Sequence, residues 1–185
     1  MSESAVVMFD GKYRIESARL KSWDYTWPGW YYVTICTKDT ECFLGEIRDE
    51  KMDLSVPGKI VAEEWEKTAR IRANVELDEW KIMPNHLHGI IIINDNRVET
   101  TRRVVSTTEQ PKGIQPNSLG SIIGQIKSSC TKRIWKTGHR DFAWQPRFFD
   151  HIIRNEKDLH RIRLYIRNNI IRWELDRDDS KNLPD

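Results

Sequence analysis

The stretch KIMPNHLHGIIII, Lys81 to Ile93, constrains the fold of this chain more than any other. Two strand-length runs, VELDEWKIM and HLHGIIIIN, are separated only by Pro84-Asn85, and proline followed by asparagine is turn chemistry. The two runs are therefore expected to close as an antiparallel hairpin. Residues i and i+2 of a strand project from one face, so His86 and His88 point together and Leu87 points the other way. Two imidazoles held side by side make a bidentate metal platform. The alternative is a pair of hydrogen-bonded structural or surface histidines.

The rest of the chain supplies partners for this hairpin. GWYYVTICT, Gly29 to Thr37, is rich in β-branched and aromatic residues and reads as the first core strand. Ser55 is a candidate cap for a helix carrying Ile60, Val61, Trp65, Ala69 and Ile71 near helical spacing. Ser118 is expected to cap a second, with Leu119, Ile122, Ile123, Ile126, Cys130 and Ile134 on its apolar face. RFFDHIIR reads as a fourth strand, and Asn155 opens a last helix running to Asp176 through Ile162, Tyr165, Ile166, Asn169 and Ile170. The order β-α-β-β-α-β plus an extra helix predicts an α+β, ferredoxin-like antiparallel sheet. Helices covering one face would leave the other free for a ligand or partner.

A length of 185 residues suits one domain over 19–175, with flexible tails over 1–18 and 176–185 and a long mobile loop over 94–117. The 31% of charged residues, and an aliphatic run no longer than Ile90 to Ile93, exclude a helical membrane protein. Cys36, Cys42 and Cys130 are odd in number and lack metal-type spacing, so a reducing cytoplasm is expected rather than a disulfide framework. From Arg97 to Arg172 there are sixteen Lys and Arg against six Asp and Glu, so the other segments are acidic. Such asymmetry makes nucleic acid the leading partner for one face; a solvated helical surface is the alternative. By class, Lys127, Lys132, Arg133, Lys136 and Arg140 are candidates to track phosphates, and Trp135, Trp144 and Phe148 to stack unpaired bases. Arg147 and His151, on the strand before the last helix, either approach DNA or brace that helix.

Tyr165 and Asn169 are spaced i and i+4, so they share one face of the last helix. If that face meets the histidines, Asn169 offers an amide oxygen as a third ligand and Tyr165 a phenolic nucleophile. The alternative is a core tyrosine with a polar neighbour. Several ordered blocks, MPNHLHGIIII, SLGSIIGQIKS, WQPRFFDHIIRNEKDL and YIRNNIIRWELD, resemble the single-tyrosine HUH transposases, including those associated with repetitive extragenic palindromes. RLKSWDYTWPGWYYVTICTKDTECFLGEI and NVELDEWKIMPNH are also similar, so the resemblance runs from Arg19 to Leu175.

The resemblance implies that His86, His88 and Asn169 hold Mg²⁺ or Mn²⁺ and that Tyr165 is the nucleophile. It implies a 5′-phosphotyrosine intermediate, a free 3′-hydroxyl and strand transfer without a nucleotide cofactor, acting on single-stranded DNA with hairpin or palindromic ends. A bacterial or archaeal cytoplasm, at the nucleoid, is the implied setting. Relatives include dimers that share sites and others that act as monomers, so a homodimer is one expectation. The family pattern places proline after the metal-binding asparagine, whereas Ile170 stands here; a continuing helix would reorient Asn169 and make Asn168 its nearest substitute. Arg163 or Arg167 is expected to favour the phenolate. Two other readings are a non-catalytic protein that binds structured DNA and a related replication or relaxase nuclease.

Overall fold

The computed structural model describes residues 23–95, 116–171 and 173, together with the short strands β1 (Met8–Phe9) and β2 (Lys12–Tyr13), which pair with each other. Apart from that pair, the tails expected over 1–18 and 176–185 lie outside the described residues, as does 96–115 of the expected loop. Next come β3 (Gly29–Cys36), a 3-10 turn at Lys38–Thr40, β4 (Gly45–Arg48), β5 (Lys51–Leu54) and α1 (Val56–Arg70). The chain continues with β6 (Val75–Met83), β7 (His86–Ile93), α2 (Leu119–Lys136), β8 (Phe149–Ile153) and α3 (Glu156–Arg167). The small β4–β5 hairpin is not anticipated by the sequence reading; Asp49 and Glu50 turn it with positive φ.

The main sheet has the order β6-β7-β3-β8 with every neighbouring pair antiparallel, which is the ferredoxin-like arrangement. Local chemistry fixes the helix starts. Ser55, Ser118 and Asn155 each cap the following helix by accepting a backbone N–H three residues on.

The pleat divides the sheet into two chemically distinct faces. On one, Tyr31, Val33 and Ile35 of β3 and Leu87, Ile91 and Ile93 of β7 form the main core with Trp65 of α1 and the predicted apolar face of α2. On the other, Tyr32 and Ile90 pack with Ile153 of β8 and with Ile162 and Ile166 of α3. This second face is therefore not left free by the helices, as the order of elements suggested; α3 covers part of it. The reason is the isoleucine pair, four residues apart, which gives α3 an apolar stripe to bury.

α3 is also tied down by charge. The β6–β7 register shifts between Leu77 and Trp80, and a bulge of this kind redirects the side chains it contains. Those side chains are Asp78 and Glu79. Asp78 Oδ2 accepts from Arg163 Nε at 2.7 Å, and Glu79 Oε1 accepts from Arg167 at 2.5 Å. Lys81 Nζ donates to the Arg167 carbonyl at 2.6 Å, placing a cation on the helix C-terminus.

Candidate active site

The registers put the site residues into rows across one face. Thr34 pairs with His88 on one side and with Phe149 on the other, and His88 pairs with Lys81, so Lys81, His88, Thr34 and Phe149 form one row over four strands. The neighbouring row is Ile90, Tyr32 and His151; beyond His88 lies the pair of His86 and Cys36. Each of these side chains projects to the α3 side.

His86 Nε2 and His88 Nε2 lie 2.8 Å apart, so the two imidazoles converge on one point. What holds their remaining nitrogens decides the protonation pattern. Asn85 Nδ2 donates to the Thr40 carbonyl at 2.9 Å, which directs Asn85 Oδ1 to His86 Nδ1 at 2.6 Å. An amide oxygen only accepts, so the His86 proton sits on Nδ1 and Nε2 keeps its lone pair. His88 Nδ1 lies 2.8 Å from the Tyr32 hydroxyl and 2.9 Å from Thr34 Oγ1. Hydroxyls both donate and accept, so this pair tolerates either His88 tautomer. With the proton on His88 Nε2, that group donates to His86; with the proton on Nδ1, both Nε2 lone pairs are bare.

Burial keeps these rings neutral. It pushes the His86 pKa down to about 4, and burial together with the neighbouring His86 pushes His88 down to about 3. Burial raises the Tyr32 phenol and the Cys36 thiol, so both are protonated at neutral pH. Cys36, although beside His86, is thus no ready thiolate ligand.

Tyr165 reaches this site from α3. Its ring lies 5.3 Å from the His88 ring and 6.3 Å from that of Tyr32, both edge-on. After α3, Asn168 forms a turn and residues 169–171 resume helical geometry. The helix expected to run to Asp176 is thus interrupted at Asn168, its C-cap, whose N–H bonds to the Leu164 carbonyl at 3.0 Å. Asn169 is buried, 6% exposed, whereas Asn168 borders the cleft beside Tyr165. Trp173, one turn further, packs against His86 with ring centres 5.8 Å apart.

The donor types can be tested for fit. Among the described residues no three His, Cys, Asp or Glu side chains come together as a metal set. Asn169, a buried amide one turn from Tyr165, is a donor of another type. Two neutral imidazole nitrogens and an amide oxygen form a mixed N/O set that fits Mn²⁺, and Mg²⁺ where phosphate oxygens complete it.

Beside Tyr165 opens a cleft of about 1410 Å³ between β8 and α3, lined by Tyr32, His88, Phe149, His151, Asp158 and Arg161 among others. Of the seven proposed DNA-contacting residues, His151 alone lines it. His151 Nε2 is 2.7 Å from Asp158 Oδ2, and the other carboxylate oxygen, Oδ1, accepts from Arg161 at 2.6 Å. Lys127, Lys132, Arg133 and Lys136 ride on α2, across the sheet from the histidines. Lys127 Nζ donates to the carbonyls of Gln145 and Arg147, at 2.7 and 2.8 Å. Arg133 bonds to Glu63 and, at 2.8 Å, to Glu64. Arg140 is exposed in the loop after α2, and Arg147 is exposed just before β8.

Trp144 and Phe148 pack against the main core, and Trp135 donates its indole N–H to the Phe142 carbonyl. Arg163 and Arg167, expected beside the phenol, are engaged by Asp78 and Glu79. The sequence does not single out Asn85, Tyr32, Thr34 or Phe149. Alternation along WYYVT and RFFDHII puts the last three on shared faces, but only the register places them beside His88.

No protein-family model matches the chain. Among solved structures, its fold is similar to that of a REP-associated tyrosine transposase bound to a REP hairpin. The TM-score is 0.52 at 23% identity, over 78% of this chain and 68% of that one. By sequence the chain belongs to one family with an uncharacterized protein of Haemophilus influenzae, 37% identical over 168 residues, which are 90% of this chain and 93% of the relative.

Proposed function

We propose that the protein is a metal-dependent single-stranded DNA transposase that makes and resolves a 5′-phosphotyrosine. The observation that carries the reading is the meeting of two convergent histidine Nε2 atoms and a tyrosine, its ring 5.3 Å from His88, on one face of one sheet. The fold likeness to a transposase bound to a REP hairpin supports it and suggests a hairpin-ended strand as partner.

In this reading the Tyr165 phenolic oxygen attacks the scissile phosphorus. The new O–P bond forms as the bond to the 3′-oxygen breaks, and the proton lost by the phenol is balanced by one gained on the leaving 3′-hydroxyl. A second 3′-hydroxyl reverses the step on the phosphotyrosine, completes strand transfer and restores the phenol, so no nucleotide cofactor is needed. His86, His88 and Asn169 would hold a Mg²⁺ or Mn²⁺ ion, which when bound supplies Lewis-acid stabilisation of charge on the phosphate. Tyr32 and Thr34 orient His88 through its Nδ1, the role of an outer-shell partner. Arg163 and Arg167 act as anchors of α3, which keeps Tyr165 against His88.

The test is incubation of the purified protein with hairpin-bearing single-stranded DNA and Mn²⁺, followed by denaturing electrophoresis. A covalent protein–DNA adduct is expected with the unaltered chain and none with Tyr165→Phe. Absence of an adduct on DNA from the ends flanking the gene, or its persistence in Tyr165→Phe, would overturn the mechanism.

A further inference from the structure

We infer that Phe149 is a stacking platform for one unpaired base of a single DNA strand, beside the phosphate that reaches Tyr165; the inference rests on the function proposed above. Phe149 stands in the same row as His88, two strands away, and adjacent strands are spaced about 4.8 Å, so the two backbones are roughly 10 Å apart. On this face Tyr32, Ile90 and Ile153 are buried, yet Phe149 is 50% exposed. Its ring meets that of Tyr32 edge-on, 6.1 Å between centres and 67° between planes, which fixes the ring without sandwiching it. Across the cleft α3 presents Leu164, also exposed. Two exposed apolar side chains in one cleft suit a flat ring.

The surrounding charge suits a polyanion. Lys157 and Arg161 are exposed cations of the cleft lining. Asp158 is the one carboxylate among the lining residues, and His151 and Arg161 both bond to it. With Arg161 paired to Asp158, Lys157 gives the lining its positive excess, and a strand entering here meets no uncompensated carboxylate among the lining residues. Stacking on a phenyl ring discriminates weakly between bases, because every base offers a π-face, so Phe149 contributes affinity and placement rather than sequence readout.

The experiment is fluorescence anisotropy with the full chain carrying Tyr165→Phe, in EDTA, so that binding is read without chemistry. The probes are a labelled oligothymidylate of roughly 12 nucleotides and an abasic strand of the same length. Phe149→Ala is expected to weaken oligothymidylate binding by about 5- to 100-fold and Phe149→Trp to restore it, with the abasic strand unaffected by either change. Oligothymidylate affinity unchanged in Phe149→Ala overturns the platform alone. So does an equal loss on the abasic strand, which would mark Phe149 as a scaffold residue. Failure of the Tyr165→Phe chain with Phe149 intact to bind oligothymidylate, while a labelled hairpin-bearing strand binds, overturns the platform alone; failure on the hairpin-bearing strand as well overturns the DNA reading with it.

Discussion

His86 and His88 differ in what holds the nitrogen facing away from their meeting point, and that difference sets their chemistry. Asn85 dictates the His86 tautomer, whereas the Tyr32 and Thr34 hydroxyls let His88 exchange its own. Both rings are buried and neutral, which has a consequence for stability. Their folded pKa values, about 4 and about 3, lie below the ordinary value near 6.5. Below pH 6.5 the unfolded chain takes up protons that the folded chain refuses, so stability is present at neutral pH and is lost as pH falls. The EDTA-treated protein is expected to show a falling thermal midpoint from pH 6.5 to about 4, with a slope of at most about 1.4 kcal/mol per pH unit for each histidine. His88→Gln should flatten that slope in calorimetry across this range; an unchanged slope would assign the acid sensitivity to other groups. At this scale the sequence disclosed the pair HLH and its shared face, because a strand's period of two is a local property. It did not disclose Tyr32 or Thr34 as partners, because hydrogen bonds between residues 54 or 56 positions apart depend on register, and Asn85, although adjacent to His86, is aimed at it only by the Thr40 carbonyl 45 positions away.

The elements hold the site through two devices, one on each face of the sheet. Beneath it, Gly89 follows His88 and lies directly against Trp65 of α1, which is fully buried. A Cβ at residue 89 would fall 2.2 Å from Trp65 Cζ2. Since a buried indole has nowhere to go, Gly89→Ala is expected to destabilise the protein by about 1–3 kcal/mol through overpacking, measured as a lowered midpoint in urea or heat. An unchanged midpoint would mean that α1 moves freely on the sheet. Above it, the β6 bulge presents Asp78 and Glu79 to two arginines of α3. The helices themselves were legible: Ser55, Ser118 and Asn155 mark the three starts, and the apolar period of α2 matches its buried face. The bulge was not, because the step from Leu77 to Trp80 violates strict alternation and shows only as an imperfect pattern. Sequence proximity to Tyr165 therefore points Arg163 and Arg167 at the phenol, whereas their partners are Asp78 and Glu79 on an edge strand.

At the scale of the whole molecule, the order β6-β7-β3-β8 and the packing of α3 bring His88, with His86 beside it, against Tyr165 of the same chain. Under the proposed function, a mixture of His86→Ala and Tyr165→Phe proteins is therefore expected to form no DNA adduct, since neither chain holds both halves of a site. Recovery of adduct in the mixture would mean that α3 docks on a partner chain. Among the described residues no helix is long and apolar enough to cross a membrane. The sequence by itself determined the order of the four main-sheet strands and three helices, the helix caps, the paired histidines and the i, i+4 relation of Tyr165 to Asn169, because periodicity, turn chemistry and capping act over a few residues. Only the tertiary structure decided that α3 lies on the histidine face, that α2 with Lys127 and Arg133 lies on the other, and that Phe149 stands in the row of His88. Those are outcomes of strand register and of which apolar stripe finds cover, and both are settled by contacts between residues far apart in the chain.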